Sequence, residues 1–207
     1  MYDLINRHVQ GVLHSIRQNH VLDYDWLVEN LPQVGAPVYQ RAYRRYWRMN
    51  RAIRNAHYFD AYFQALQAAQ VVPSTPENLS RQLYQIPTHA NGRQGLQFSF
   101  VTKLLHMVDG HAPIYDSAVA AFYSFQAPSC RHPVQQRIAA LCEFRTFLIQ
   151  EYARVLQNGL LASSIHQFRR HFQPQHFTDE KIIDSLIWGY VSLMTRGGLM
   201  NGQVIYR

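Results

Sequence analysis

The chain has 207 residues, of which 47% are apolar and 13% aromatic; this composition is typical of a globular protein and excludes a disordered chain. Twenty basic residues outnumber 13 acidic ones, and the net charge of +7 favours a polyanionic partner such as nucleic acid. Cys130 and Cys142 have neither the density of a disulfide scaffold nor the spacing of zinc ligands, so we predict no metal site and no cofactor. No apolar run reaches the roughly 18 residues of a membrane helix, and the first residues lack the pattern of a secretory signal. We therefore expect a cytoplasmic protein without a membrane partner.

Apolar residues recur with a helical period along nearly the whole chain. Asp23, Thr178 and either Ser74 or Thr75 are placed as N-terminal caps. Glycines near residues 197–202 indicate a helix stop followed by a mobile tail. A terminal strand pairing is expected at 203–206. The sequence predicts an all-α fold in one domain over residues 1–207, which divides, in an alternative description, into an N-terminal helical subdomain at 1–72 and a core subdomain at 73–207. The predicted helices cover 4–16, 23–29, 37–69, 77–85, 96–108, 117–125, 133–157, 161–172 and 179–194, and the third has a candidate break near Asn50 or Asn55.

Arginines recur every three or four residues in the predicted helix over 37–69, a spacing that places them along one side of a helix. We call them the arginine stripe: Arg41, Arg44, Arg45, Arg48, Arg51 and Arg54. Tyrosines and a tryptophan are interleaved with them, and guanidinium groups with aromatic rings are suited to phosphates and exposed bases. The alternative is a solvated helix face whose aromatic residues pack inward. A second basic cluster contains Arg169 and Arg170.

Lys103 is one of two lysines among the 20 basic residues, and it lies in an apolar helical stretch. Unlike arginine, lysine can lose its proton and act as a nucleophile, and partial burial would lower the pKa of its amine. Asp116 follows a short turn and begins the next predicted helix. It is placed either to cap that helix or to face the amine of Lys103 across the turn. The alternative is purely structural, with Lys103 extending its amine away from an apolar face or pairing with Asp116 to fix the loop.

Thr102-Lys103, a loop, and then Pro113-Ile-Tyr-Asp116 at the start of a helix resemble the helix-hairpin-helix DNA glycosylases over residues 95–125. The resemblance implies an orthogonal packing of helices around the motif. It also implies that Lys103 attacks the anomeric carbon of a nucleotide and forms a Schiff base. Asp116 would then stabilise the developing oxocarbenium charge or activate the amine. In place of the family's glycine-rich hairpin this chain has Phe98-Ser99-Phe100.

Three functions remain open from the sequence. The first is a base-excision enzyme, with DNA N-glycosylase or abasic-site lyase activity, that uses Lys103 and Asp116. The second is a nucleic-acid-binding module that uses the arginine stripe with Arg169 and Arg170 and favours DNA over RNA. The third is a non-catalytic interaction or structural protein whose basic surface meets an acidic partner. The sequence favours nucleic-acid binding and leaves the oligomeric state open.

Overall fold

The computed structural model describes residues 1–195 and the backbone of two short strands beyond them. The prediction of an all-α fold is confirmed, because eleven α-helices and two 3₁₀ turns build the described part of the chain. No helix in residues 1–195 is long and apolar enough to cross a bilayer. The helices are α1 (Tyr2–Arg7), α2 (Val9–Ser15), α3 (Gln18–Glu29), α4 (Pro37–Tyr46), α5 (Ala56–Ala69), α6 (Pro76–Tyr84), α7 (Phe98–Val108), α8 (Ser117–Phe122), α9 (Val134–Gln157), α10 (Ala162–Phe172) and α11 (Asp179–Thr195).

Several helices begin where the sequence predicts a cap. The hydroxyl oxygen of Thr75 accepts a hydrogen bond from the Asn78 amide at the start of α6, and that of Thr178 accepts one from the Lys181 amide at the start of α11. Such bonds satisfy amides that the first helical turn leaves unpaired. Asp23, in contrast, is not a cap, since α3 begins five residues earlier at Gln18 and Asp23 lies inside it.

Two predicted helices are each divided in the structure. The helix expected over 4–16 is α1 and α2, separated at His8. The helix expected over 37–69 is α4, a 3₁₀ turn at Met49–Arg51, and α5, which the side chain of Asn55 caps, so the candidate break near Asn50 or Asn55 is confirmed. The helical period continues through both breaks because buried apolar residues recur on either side of them, so periodicity alone does not locate the interruptions.

Helix α11 is the centre of the fold. Its residues from Lys181 to Ile187 are all buried, and it packs against α1, α2, α8, α9 and α10. Elsewhere in the fold, α5 and α6 pack against α7, and α3 packs against α4. A cluster of buried apolar side chains extends from Tyr2 to Tyr190 and contains residues from before and after position 72. The division into two subdomains and the orthogonal packing of the resembled family stay predictions.

Strands β1 (Leu199–Met200) and β2 (Gln203–Val204) pair in antiparallel fashion, with Leu199 opposite Val204. Strand β2 confirms the expected pairing for its two residues. The glycines predicted to form a stop and a mobile tail, at 197, 198 and 202, lie outside the described residues.

Candidate functional site

A cavity of about 120 Å³ lies where α7, the start of α8 and α11 approach the segment that follows α4. Its floor is made by buried side chains, including Lys103 and Lys181, whereas Arg48 at its edge is exposed to solvent. Five of its lining residues carry ionisable charge, and four present aromatic rings. The charged residues are Arg48, Lys103, Asp116, Lys181 and Asp184, and the aromatic residues are His20, Tyr46, Trp47 and Trp188.

The amine of Lys103 lies inside this cavity rather than at the surface. The side chain is 8% exposed, and its Nζ donates a hydrogen bond to Ser99 Oγ, one turn earlier on α7, at 2.8 Å. Nζ also lies 5.1 Å from the centre of the Phe100 ring and 5.5 Å from that of Trp47. Burial lowers the pKa of the Lys103 amine below its usual value, because a desolvated ammonium ion is unfavourable. A larger share of the amine is therefore unprotonated and nucleophilic.

Asp116 lines the same cavity and also caps α8. Its Oδ1 accepts hydrogen bonds from the amides of Ala118 and Val119, both at 2.9 Å, so the proposed capping role is present. This leaves the second carboxylate oxygen outside the cap. Among the described residues there is no ion pair between Lys103 and Asp116, so the alternative in which such a pair fixes the loop is wrong. The two groups nevertheless share one cavity.

A hydroxyl group holds Asp116 close to α7. Thr102 Oγ1 accepts a hydrogen bond from the Tyr115 amide at 3.0 Å, and Thr102 is completely buried. Because Thr102 precedes Lys103 and Tyr115 precedes Asp116, this bond fixes the two neighbouring side chains relative to each other. The bond between Thr102 and Tyr115 thus holds Lys103 and Asp116 near each other.

The structure adds Lys181 and Asp184, which the sequence analysis did not select. Lys181 Nζ lies 3.1 Å from Asp184 Oδ2, one turn along α11, and both side chains are buried. The other carboxylate oxygen, Asp184 Oδ1, is buried without a hydrogen-bond partner. Burial raises the pKa of Asp184 to about 6. Lys181 is the only other lysine in the chain, so the scarcity of lysine that drew attention to Lys103 would have identified Lys181 as well.

Three flat rings are arranged in parallel at the edge of the cavity. The imidazole of His20 stacks on Tyr46, with 4.6 Å between ring centres and 12° between planes, and on Trp188, at 5.9 Å and 13°. Burial, together with the charges of Lys181 and Arg48, lowers the pKa of His20 to about 3. His20 is therefore neutral at physiological pH, and it contributes an uncharged aromatic surface beside the cationic one.

The arginine stripe does not form one helical face. Arg41, Arg44 and Arg45 lie on α4, which ends at Tyr46, and Arg48 has a left-handed backbone conformation with φ of 55°. Arg51 ends the 3₁₀ turn, and Arg54 donates its backbone amide to the carbonyl of Thr88. Five of the six arginines are exposed, and Arg44 is partly buried. The surface is cationic, but a turn divides it, and only Arg48 reaches the cavity.

The aromatic residues interleaved with the stripe pack inward. Tyr39, Tyr43 and Trp47 are buried, which agrees with the alternative of a solvated arginine face over a packed aromatic layer. Arg44 stacks its guanidinium group over the ring of Phe59 at 4.6 Å. Stacking of nucleic-acid bases on Tyr39 and Tyr43 is therefore not available, and among these residues Tyr46 and Trp47 line the cavity instead.

The second basic cluster lies on α10. Arg169 pairs with Asp179 at 2.8 Å, and Arg170 is exposed. Helix α10 packs against α1, α2 and α11, whereas the first arginines of the stripe lie on α4, which packs against α3. Neither Arg169 nor Arg170 lines the cavity.

Within residues 1–195, no group of three or more histidine, cysteine or carboxylate side chains is placed to hold a metal ion. Both cysteines are free thiols, and Cys130 is exposed.

Comparison with protein-family models, with curated proteins and with solved structures finds no match for this chain. The resemblance to the helix-hairpin-helix glycosylases accordingly stays a prediction that depends on residues 95–125.

Proposed function

We propose that this protein is a DNA-binding enzyme of the N-glycosylase or abasic-site lyase type, in which Lys103 is the nucleophile and Asp116 assists it. The observation that carries the proposal is the placement of a buried, pKa-lowered amine and a carboxylate in one cavity with an exposed arginine at its edge. Perturbed amines beside carboxylates in a cavity are characteristic of catalytic sites.

The cavity is suited to a flat, polar ring. Its volume is close to the roughly 150 Å³ of a cavity known to hold one benzene ring. Trp47 and Trp188 line it, and two of their neighbours, His20 and Tyr46, already stack in parallel. Asp184 and Trp47 line the cavity, and each has one buried polar atom without a protein partner, the acceptor Oδ1 and the donor Nε1. A nucleobase rotated out of a duplex has such a ring and such groups.

The proposed reaction needs only groups that line the cavity. The Lys103 nitrogen forms a bond to C1′ of the nucleotide, while the bond from C1′ to the base breaks and its electron pair leaves with the base, which takes up a proton. The attached nitrogen then loses one proton to Asp116. Its lone pair forms the C1′=N bond of the Schiff base as the bond from C1′ to the ring oxygen breaks, and that oxygen takes up a proton. The Asp116 carboxylate, negative and partly buried, stabilises positive charge that develops on the sugar.

Positive charge outside the cavity would supply the affinity for DNA. Arg48 stands at the edge of the cavity, and Arg41, Arg45 and Arg51 are exposed on the adjacent segment. Arginine forks bind phosphates in a bidentate way, and binding of this kind weakens as salt concentration rises.

A non-catalytic role for the domain is the second candidate, and a specific observation favours it. Asp116 caps α8, and Lys103 donates to Ser99 between two aromatic rings, so each side chain also has a structural partner. A helical interaction protein would need no more than this. The two candidates differ in whether the Lys103 amine reacts.

Covalent trapping tests the proposal. The protein is incubated with duplex DNA containing one abasic site, sodium borohydride is added, and the product is digested and mapped by mass spectrometry. We expect a reduced adduct on Lys103. Because the chain has only two lysines, the map separates Lys103 from Lys181 and from the terminal amine without ambiguity.

Lys103→Ala is the direct variant, and Ser99→Ala is its control, since it removes the hydrogen-bond partner of the amine and leaves the amine in place. We expect Lys103→Ala to lose the adduct while circular dichroism shows an intact fold, and Ser99→Ala to retain it. Adducts confined to the terminal amine, or absent from the wild type with both abasic and damaged-base duplexes, would contradict the catalytic proposal and favour the second candidate.

A further inference from the structure

The two lysines of the chain are both buried in one cavity, although the other 18 basic residues are arginines. Lys103 Nζ lies 5.5 Å from the centre of the Trp47 ring, and Lys181 Nζ lies 5.4 Å from the same centre. Two buried ammonium groups this close repel each other, so the site stays stable only if a counterion or a proton loss relieves the repulsion. Asp184 is bonded to Lys181 and not to Lys103.

We propose that Lys181 is a positioning residue for Lys103: by holding Asp184 in an ion pair, it prevents that carboxylate from capturing Lys103 and leaves the Lys103 nitrogen free to react. The identity of the electrophile that Lys103 attacks rests on the function proposed above. The relation between the two lysines depends only on the described geometry.

Helix geometry makes the pairing with Lys181 the favoured one. Lys181 and Asp184 are three residues apart on α11, so their side chains are neighbours on one face of the helix. Lys103 comes from a different helix, α7, and its amine donates to the neutral hydroxyl of Ser99 instead. Oδ2 of Asp184 is occupied by Lys181, and the remaining oxygen is buried without a hydrogen-bond partner.

The ionisable groups around Lys103 come from four other segments. Asp116, before α8, favours the protonated amine, whereas Arg48, after α4, disfavours it. His20 on α3 is neutral because its pKa is about 3. On α11, Asp184 favours the protonated form of Lys103 and Lys181 opposes it. Removal of one member of the α11 pair therefore changes the net charge of the cavity by one unit.

Removal of Lys181 acts on Lys103 in two ways that reinforce each other. The repulsion of its ammonium group is lost, and Asp184 is released to pair with the nearest remaining cation. Both effects raise the pKa of Lys103. The two amines are no more than about 11 Å apart, which is twice their distance from the centre of the Trp47 ring. At an effective dielectric constant of about 20, loss of the repulsion by Lys181 alone should raise the pKa of Lys103 by about one unit.

Nuclear magnetic resonance of protein labelled with ¹³C only in lysine measures this without any substrate. The spectrum has two Cε signals, since the chain has two lysines, and Lys103→Met identifies which is which. Each signal is followed over a pH titration. We expect Lys181→Met to raise the apparent pKa of Lys103 by one unit or more, and Asp184→Asn to lower it.

Two further variants separate positioning from a structural role. Lys181→Arg keeps the ion pair and should leave the Lys103 titration within about 0.3 units of wild type, because its charge is unchanged. Lys181→Met/Asp184→Asn removes both charges and should bring the Lys103 pKa back down from its value in Lys181→Met. If Lys181→Met does not fold, the inference is tested by the other two single variants: the pKa of Lys103 should be unchanged in Lys181→Arg and lowered in Asp184→Asn.

A Lys103 titration unmoved by Lys181→Met in a folded protein, or raised by Asp184→Asn, overturns the inference. These results are independent of the trapping experiment. A failed trap with the expected titrations would contradict the proposed reaction alone, whereas a successful trap with unmoved titrations would contradict only the role given to Lys181.

Discussion

Gly189 lets the central helix α11 approach α2 closely, and its replacement by alanine tests how tightly the two helices are packed. A methyl group at this position would lie 3.0 Å from Ser15 Oγ, 3.0 Å from Val12 Cγ1 and 3.1 Å from Ile16 Cδ1. Gly189 is buried, and its carbonyl also accepts a hydrogen bond from Ser15 Oγ at 3.0 Å. These three side-chain atoms would therefore have to move by a few tenths of an ångström to admit the methyl group.

Two effects of opposite sign determine the result. Alanine is favoured over glycine inside a helix by about 1 kcal/mol. Overpacking of a buried contact costs about 1–3 kcal/mol, and the upper part of that range applies because contacts come from three different side chains. We therefore expect Gly189→Ala to lower the free energy of unfolding by about 1–2 kcal/mol.

Urea unfolding followed by circular dichroism and tryptophan fluorescence measures the difference. Gly35→Ala is the matched control, because Gly35 is exposed and a methyl group there meets no atom within 4 Å. We expect that variant to be as stable as the wild type or slightly more stable. If Gly189→Ala proved equal to or more stable than wild type, the close packing of α2 on α11 would be refuted.

Three other changes have defined outcomes. Asp116→Ala should lower stability by about 1 kcal/mol through loss of the α8 cap. Asp116→Asn keeps an accepting oxygen, so it should retain the stability while losing most of the borohydride adduct; urea unfolding and trapping of the same two proteins check this. Exchange of Arg41 and Arg51 for glutamine should reduce the slope of log affinity for DNA against log salt concentration by up to about 2. Fluorescence anisotropy measures this slope, and an unchanged slope would show that neither arginine contacts the DNA. His106 is buried and bonded to the hydroxyl group of Tyr24, and burial lowers its pKa to about 3. Below about pH 6.5 the unfolded chain takes up a proton at His106 and the folded chain does not, so protonation favours the unfolded state. The free energy of unfolding should therefore fall as the pH drops below 6.5, by about 2 kcal/mol at pH 5 on account of His106. Urea unfolding at pH 7 and pH 5 should show a correspondingly smaller loss in His106→Gln, and equal losses would contradict the assignment.

The helical class and the Lys103–Asp116 proximity follow from local sequence. Helix α9 matches its predicted limits closely, because a long amphipathic pattern and a preceding proline define it. Lys103 and Asp116 lie within 13 residues of each other, so a single turn decides their separation, and the Thr102–Tyr115 bond closes that turn.

Residues contributed by distant helices could not be placed in the same way. Lys181 and Asp184 reach the cavity only because α11 is the centre of the core, and no local pattern reports which helix is central. The sequence indicates a break near Asn50 or Asn55, but the spacing of the arginines does not show that this break divides the stripe. Met49 in the 3₁₀ turn and Ile53 after it are both buried, so the alternation of apolar and basic residues continues although the helix does not.

The left-handed backbone of Arg48 has a consequence for how the cavity opening can evolve. A side chain with a Cβ atom loses roughly 1 kcal/mol in this conformation, and glycine would adopt it without strain. Glycine would also leave the opening without its guanidinium group. Replacement of Arg48 by glycine should therefore raise the melting temperature and weaken the preference of the cavity for anionic over uncharged ligands. Thermal stability and ligand selectivity thus make opposite demands on this position.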